Sequence, residues 1–350
     1  MNEYEIRKYH PELKNQILEV QKHHWGSDMR LNAAYLKWKY DRNPYGNSAS
    51  IYVAMRNGQV IGMLGMYGGK WEFGEEGKTM LAPCPADVVV DPEHRGRGLF
   101  KRMMAAQLKD LADQGLQYSV TLSAGSLSSP ALLQMGWRTI GPVGTVSRVV
   151  SSFSEKIVSG FLSTAAREIR GALGSLRGSE VAYAHFDSET VKRQGDISPF
   201  VTVQKDPRPE AMAELVARIG SNGRIRHVRD EKYFVWRFQN PFSRYRFLFW
   251  QDRALEGYLV LQTSHYKPRH SASVVDWEGT SRKVKLDLLQ SANLLASRIN
   301  LLMWSATVES EERNLLGEAG FHPIERSETN LDCPVLIRPV SEKIDDNDWF

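Results

Sequence analysis

The sequence has few of the residues that mark secreted, metal-binding or membrane proteins. Its 350 residues include two cysteines, Cys84 and Cys333, which are far apart and match no metal-ligand spacing. No apolar run is long enough to cross a bilayer, and the first residues lack the apolar core of a signal peptide. The net charge is +4, from 45 basic and 41 acidic residues spread along the chain. These absences favour a cytoplasmic protein with no metal site, no nucleic-acid partner and no integral membrane segment.

The strongest indication of function is a glycine-rich turn between a strand and a helix. The apolar strand Val88–Val90 is followed by Gly96 and Gly98, and a helical pattern then runs from Leu99 to a stop near Gly115. Such a turn presents backbone N–H groups and the positive end of a helix to an anion. Neither a P-loop nor the dinucleotide-binding fingerprint fits the spacing, because no Lys-Ser/Thr and no third glycine follow.

The turn resembles motif A of the GNAT superfamily, the acetyl-CoA-dependent N-acetyltransferases. That motif reads Arg/Gln-x-x-Gly-x-Gly/Ala after a strand ending in Val-x-Pro, and this chain has Arg95-Gly96-Arg97-Gly98-Leu99-Phe100 after Val90-Asp91-Pro92. Phe100 departs from the usual small residue. A hairpin with Asn57-Gly58 at its turn and a short helix into Gly136-Trp137 extend the similarity over roughly residues 1–145.

The resemblance implies an α/β (α+β) fold, a mixed and mostly antiparallel sheet flanked by helices. It also implies acetyl-CoA as cosubstrate, bound by the strand, the turn and the first helical residues. The candidate cofactor-binding residues are Val88, Val89, Val90, Arg95, Gly96, Arg97, Gly98, Leu99, Phe100 and Lys101.

The acid and base of the reaction are less evident from the sequence. One position where the family often places a Glu or His falls on Cys84. The tyrosine that often serves as general acid in the family falls on Leu132. The catalytic candidates are therefore Cys84, Asp87 and Ser123, although strict strand alternation would turn Asp87 to the opposite face. The acceptor-binding candidates are His24, Trp38 and Ser126. For each of these six residues a purely structural role is the alternative.

The second half of the chain echoes the first. Tyr35 to Pro44 reappears as Tyr233 to Pro241, with matching strands and helices on either side, and Ala272–Asp276 echoes Ala86–Asp91. This order predicts two tandem GNAT-like domains. The second copy lacks Arg-x-x-Gly-x-Gly, and Asp276 and Glu278 are expected to repel a pyrophosphate.

The predicted organisation is an N-terminal GNAT domain with the acetyl-CoA site (1–150), a linker with an amphipathic helix (151–199), a degenerate GNAT-like domain (200–340) and an acidic tail (341–350). The second domain would shape the acceptor pocket or a dimer interface, or act as a brace. One coenzyme site per chain is expected.

The leading interpretation is an N-acetyltransferase that transfers acetyl from acetyl-CoA to a primary amine by direct attack in a ternary complex. An amino sugar or another small-molecule amine is the favoured acceptor. The sequence also allows a homodimer. One alternative is a non-catalytic acyl-CoA-binding or regulatory protein. Another is a transferase of longer acyl or aminoacyl groups.

Overall fold

The computed structural model describes residues 3–46, 50–74, 76–122, 128–149, 197–221, 223–264, 271–297, 299–305, 310–324 and 333–340. The strands are β1 Glu5–Lys8, β2 Ser50–Arg56, β3 Gln59–Tyr67, β4 Lys70–Gly74, β5 Lys78–Leu81, β6 Cys84–Val90, β7 Tyr118–Thr121, β8 Arg138–Arg148, β9 Val201–Gln204, β10 Gly223–His227, β11 Ser243–Gln251, β12 Leu255–Ser264, β13 Ser271–Gly279, β14 Asn300–Ser305, β15 His322–Pro323 and β16 Cys333–Pro339. The α-helices are α1 Lys14–Trp25, α2 Met29–Leu36, α3 Leu99–Asp113, α4 Ser129–Gln134, α5 Pro209–Ile219, α6 Glu231–Arg237, α7 Arg282–Leu295 and α8 Ser310–Glu318.

The chain divides into two compact units, each made of separate stretches of sequence. Unit 1 is built from residues 1–142, 221–228 and 333–350, as far as they are described, and unit 2 from 143–220 and 229–332. The predicted linker helix and the acidic tail lie outside the described residues. The predicted boundaries assign residues 223–227 and 333–339 to the C-terminal domain. In the structure these residues belong to unit 1.

The main sheet of unit 1 is antiparallel, in the order β1-β2-β3-β6. The predicted hairpin is present as β2 and β3. Asn57 and Gly58 make its two-residue turn with φ of 51° and 79°, the left-handed geometry that suits the twist of a hairpin. The fold class predicted for this part of the chain, a mostly antiparallel sheet flanked by helices, is confirmed.

Helices cover both faces of this sheet, because neighbouring strand residues point to opposite sides. Met63 packs in one apolar cluster with α1 residues such as Ile17. Leu64, the next residue, packs in the other cluster with Leu99 and Met103 of α3. The glycine-rich turn is thus anchored by a buried helix, with Leu99 only 2% exposed.

Further strand pairings complete unit 1. Strand β4 pairs with β5 and with β10, and β7 pairs antiparallel with β16 from Leu336 opposite Thr121 to Pro339 opposite Tyr118. The β4–β10 and β7–β16 pairings each join segments more than a hundred residues apart in sequence.

Unit 2 contains a sheet in the order β8-β14-β13-β12-β11-β9, with β15 also beside β8. Strands β13 and β14 run parallel and the other neighbours antiparallel. Helix α7 follows β13 and buries Val284, Leu288 and Leu295 in the core of this unit. None of the described helices is both long enough and apolar enough to span a membrane.

Candidate functional site

Strand β6 lies at the edge of the main sheet of unit 1. The N–H of Asp91 donates to Ile61 O at 2.9 Å, toward β3. Because backbone groups of successive strand residues point to opposite edges, the N–H groups of Val90 and Val88 point away from β3.

Strand β7 lies beside β6 only at the start of that strand. There the Val120 N–H donates to Pro83 O at 3.2 Å, and Pro83 and Pro85 have no N–H to leave unpaired. No strand in the described part of the chain pairs with the Val88–Val90 edge.

A β-bulge interrupts β6 at Asp87. Val89 lies opposite Met63 and Ala86 opposite Gly65, so Asp87 and Val88 together face the single residue between those two on β3. Asp87 has φ of 51°, a left-handed conformation that few non-glycine residues adopt. Asp87 bonds to Tyr40, which packs in the same cluster as Val89, so alternation holds from Val90 to Asp87. The bulge instead turns Ala86, opposite Gly65, to the face that Asp87 occupies.

The glycine-rich turn links this edge to α3. Gly98 is the N-cap of α3 with φ of 70°, and no side chain caps the helix. The first N–H groups of a helix have no partner within the helix, so this end presents donors to the outside. A Cβ placed on Gly96 or Gly98 would meet no atom within 4 Å, which shows that the space over the turn is open.

Basic side chains surround the turn, and several are held by other groups. Arg95 Nε donates to Val90 O at 3.1 Å, and Arg102 donates to Tyr4 O at 2.7 Å. Lys101 Nζ donates to Gln134 at 2.5 Å. Arg97 lies 3.8 Å from Glu3 and is about half exposed. Arg95, Arg97 and Lys101 are thus exposed basic residues close to the uncapped helix end.

The carboxylate of Asp87 lies in a buried polar cluster with Tyr35, Lys39 and Tyr40, called here the bulge cluster. Tyr40 OH donates to Asp87 Oδ2 at 2.7 Å, Tyr35 OH to Oδ1 at 3.1 Å and Lys39 Nζ to Oδ1 at 3.0 Å. The Asp87 side chain is 3% exposed and that of Lys39 is 11% exposed. Burial, followed by the charge of Asp87, raises the pKa of Tyr40 well above its usual value, so this hydroxyl remains a donor.

Cys84 is buried on the same strand. Burial raises the pKa of its thiol to about 12, so almost no reactive thiolate exists near neutral pH. The cysteine therefore lacks the properties of a nucleophile.

The remaining predicted site residues are scattered. His24 is exposed at the end of α1, where its ring meets that of Trp25 edge-on. Trp38 is buried, 7% exposed, with its ring 5.5 Å from that of Tyr35. Ser123 and Ser126 lie outside the described residues. The bulge cluster was missed by sequence reasoning, although the spacing of Tyr35 and Lys39 on one helical face was a visible signal.

The corresponding part of unit 2 has no glycine-rich turn. Only Thr280 and Ser281 separate β13 from α7, and the side chain of Ser281 caps the helix by accepting from Val284 N. A Cβ on Gly257 would overlap Val284, so this glycine permits close packing of α7 on the strand that contains it.

Asp276 and Glu278, the two residues expected to repel a phosphate, lie in ion pairs. Arg229 forms ion pairs with both carboxylates, at 2.9 Å for Asp276, and Tyr258 OH donates to Asp276 at 3.0 Å. Burial alone would lower the pKa of Arg229, but the surrounding Tyr258, Asp276 and Glu278 raise it overall. Arg229 therefore compensates one of the two negative charges, and the repulsion of a pyrophosphate by these carboxylates stays a prediction.

The two strands also differ in the position of their bulges. Val275 is the extra residue in β13, where Asp276 lies opposite Val260 and Val274 opposite Leu261. In β6, Asp87 itself lies within the bulge. The correspondence of Ala272–Asp276 with Ala86–Asp91 stays a prediction.

Comparison with known proteins agrees with this geometry. The family model described as an acetyltransferase (GNAT) domain matches residues 5–140. This part of the chain, residues 5–140, is therefore a GNAT acetyltransferase domain. The comparison with curated proteins found no match.

Solved structures resemble the chain over nearly its whole length. A conserved protein from Enterococcus faecalis V583, described as a probable N-acyltransferase, is 11% identical with a TM-score of 0.63 and covers 96% of this chain and 72% of its own. A GCN5-related N-acetyltransferase from Anabaena variabilis is 14% identical with a TM-score of 0.60, covering 97% and 73%. Eis1 from Mycobacterium abscessus is 15% identical with a TM-score of 0.52, covering 96% and 73%. At these identities the likeness is one of fold, and it extends beyond residues 5–140.

Proposed function

We propose that the protein is an acyl-CoA-dependent N-acyltransferase that transfers acetyl from acetyl-CoA to a primary amine of a small molecule, such as an amino sugar. The observation that carries this proposal is the open turn at Gly96 and Gly98. It combines an uncapped helix end, exposed basic residues and an adjacent unpaired strand edge. A long ligand with a phosphate group at one end and amide groups along its arm suits that combination.

Each part of the site has a proposed role. The N–H groups from Gly96 to Lys101 would hold the pyrophosphate, with Arg97 and Lys101 adding positive charge. The edge from Val88 to Val90 would pair with the pantetheine arm, while the Val88 N–H donates to the acyl carbonyl oxygen as negative charge develops there. The coenzyme would supply the acyl group as a thioester: the amine nitrogen forms a bond to the carbonyl carbon and loses a proton, the C–S bond breaks, and coenzyme A leaves as the thiol.

Transfer is direct in this proposal. An acyl-enzyme on Cys84 would require a thiolate, and the buried thiol with a pKa of about 12 does not supply one. His24 and Trp38, on the α1 and α2 side of the sheet, remain the proposed acceptor-side residues, with His24 at the surface and Trp38 beneath it. Ser123 and Ser126 follow β7 and remain proposed for acceptor binding or for ordering a water molecule.

Unit 2 is proposed to be a degenerate GNAT-like copy that binds no coenzyme. Its helix α7 is already capped by Ser281 and begins directly after β13, so no open set of N–H groups precedes it. One coenzyme site per chain follows. Titration calorimetry with coenzyme A should give a stoichiometry of one per chain, and a value of two would contradict this part of the proposal.

The experiment that tests the enzymatic proposal is release of free thiol from acetyl-CoA in the presence of a panel of amines, including amino sugars, polyamines and lysine peptides. Amine-dependent release, with acetylated product seen by mass spectrometry, is the expected result. Coenzyme binding without turnover across the panel would refute the enzyme and favour a non-catalytic acyl-CoA-binding protein. A preference for longer acyl-CoAs in the same assay would replace acetyl as the transferred group.

A further inference from the structure

We propose that Tyr35, Lys39 and Tyr40 are positioning residues that hold Asp87 in its left-handed conformation and so keep the Val88 N–H directed at the open edge of β6. The catalytic part of this inference rests on the proposed function. Its structural part, that the bulge cluster fixes the local geometry of β6, stands independently.

A left-handed aspartate in a strand requires support from its surroundings. Outside glycine such a backbone conformation persists only where neighbouring groups determine it. Asp87 is held by three donors, two hydroxyls and one ammonium, at 2.7–3.1 Å. All three donors come from one short stretch of chain, residues 35–40, which packs against the sheet on the side of α1.

That stretch has an unusual helical form that brings the three side chains together. Residues Lys37–Asp41 form a turn of π-helix after α2. Tyr35 and Tyr40 are five residues apart, a spacing that faces different directions in an α-helix and the same direction across a π-helical turn. The wider turn thus allows Tyr35, Lys39 and Tyr40 to reach one carboxylate.

Strand β3 leaves space for the cluster. A Cβ on Gly65 would overlap the Tyr40 hydroxyl. Gly65 is opposite Ala86, directly before the bulge. A glycine at this position therefore lets the hydroxyl approach Asp87 from across the strand.

The same contacts argue against Asp87 as the base. Its Oδ1 accepts from Tyr35 and Lys39 and its Oδ2 from Tyr40, with Lys39 forming an ion pair. A buried carboxylate occupied in this way does not touch an acceptor amine. Its influence on the reaction passes through the backbone of the next residue, Val88.

Unit 2 provides an internal control. Asp276 of β13 also has a tyrosine, Tyr258, and a cation, Arg229, as partners. A bulge is present there as well, between Val274 and Asp276. No open turn follows, so a defect in this second cluster should change local structure without changing transfer.

The matched variants are Tyr40→Phe and Tyr258→Phe, each of which removes one hydroxyl bonded to a cluster carboxylate. For Tyr40→Phe we expect kcat to fall on the order of 10- to 100-fold, the scale associated with misplacing a transition-state donor. The Kd for coenzyme A should stay within about threefold, because the glycine-rich turn is untouched. Tyr258→Phe should leave both kcat and Kd unchanged.

Hydrogen exchange supplies a readout that does not depend on activity. Amide exchange in the peptide covering 84–91 should quicken in Tyr40→Phe, and that covering 271–279 in Tyr258→Phe. Lys39→Arg should preserve kcat better than Lys39→Met, because it keeps a donor and the charge.

Three results would overturn the inference: unchanged exchange at 84–91, a folded Tyr40→Phe protein with kcat within twofold of the parent, or an equal loss of kcat in Tyr258→Phe. If the unmodified protein transfers no acyl group, the proposed function fails and the catalytic part of this inference fails with it. The exchange measurements still decide whether the cluster holds the bulge.

Discussion

The glycine at the start of α3 allows a test of charge separate from shape. Gly98→Asp and Gly98→Asn place side chains of nearly equal size at the same position, and both residues tolerate left-handed backbone better than other non-glycine residues. The position is at φ of 70° with no atom within 4 Å of a Cβ, so neither variant meets a steric clash. The two variants differ in one negative charge beside the proposed pyrophosphate site.

The magnitude follows from Coulomb's law. Two like charges about 5 Å apart repel by roughly 3 kcal/mol at an effective dielectric constant of about 20. That energy corresponds to a loss of about 100-fold in affinity for coenzyme A in Gly98→Asp relative to Gly98→Asn. The difference should shrink in about 1 M salt, where the screening length falls to about 3 Å.

Isothermal titration with coenzyme A at low and high salt measures both effects, and thermal unfolding checks the fold. Both variants should unfold within about 4 °C of the parent, since a change near 1 kcal/mol moves Tm by only a few degrees in chains of this size. Equal affinities in the Asp and Asn variants would refute the placement of the phosphate at this turn. A salt-independent difference would refute the electrostatic reason.

Further predictions concern a thiol, a carboxylate and two glycines. In a Cys333→Ser background, native Cys84 should react with thiol reagents at pH 8 about 1000-fold more slowly than a free cysteine, because a pKa of about 12 leaves little thiolate; rapid labelling would contradict its burial. Burial alone would raise the pKa of Asp287, but hydrogen bonds from Lys283 on the same helix and from Trp250 on β11 lower it overall. Its stabilising contribution is therefore present above the unfolded pKa of about 3.9 and is lost as pH falls below that value. Urea midpoints of Asp287→Asn should accordingly lie below those of the parent at pH 7 and converge with them in acid, and a constant gap would count against this linkage. Gly257→Ala should lower the free energy of unfolding by about 1–3 kcal/mol, since its Cβ would overlap a methyl group on α7. The control Gly317→Ala, on the exposed side of α8 with open space around the Cβ, should be neutral or stabilise by up to about 1 kcal/mol in the same denaturation assay; equal losses would refute the packing argument.

Local sequence predicted the parts of unit 1 that depend on nearest neighbours. The Asn57-Gly58 hairpin follows from two residues that accept left-handed backbone, and α3 follows from apolar residues at three- and four-residue spacing. The glycine-rich turn was predicted for the same reason, since strand, turn and helix are consecutive. Its place beside a buried helix and an open strand edge agrees with that prediction.

Pairings across long stretches of chain were not predictable in this way. Strand β16 pairs with β7, and β10 pairs with β4. The hydrophobic periodicity of a strand predicts which face is buried, but it does not identify the strand that pairs with it. The same holds for Asp87, whose three donors lie about fifty residues earlier. Alternation from Val89 gives the face of Asp87 correctly, but the bulge adds one residue, so Asp87 and Ala86 share a face that strict alternation would separate.

The sequence by itself therefore determined the glycine-rich turn, since its geometry arises from glycines and a helix start that are adjacent in the chain. It also determined that the second half lacks such a turn, because the residues are missing. Only the tertiary structure decided which backbone N–H groups lie on the open edge of β6, and which side chains hold them there. That outcome depends on a strand register and on hydrogen bonds between distant segments, and both exist only after the chain has packed.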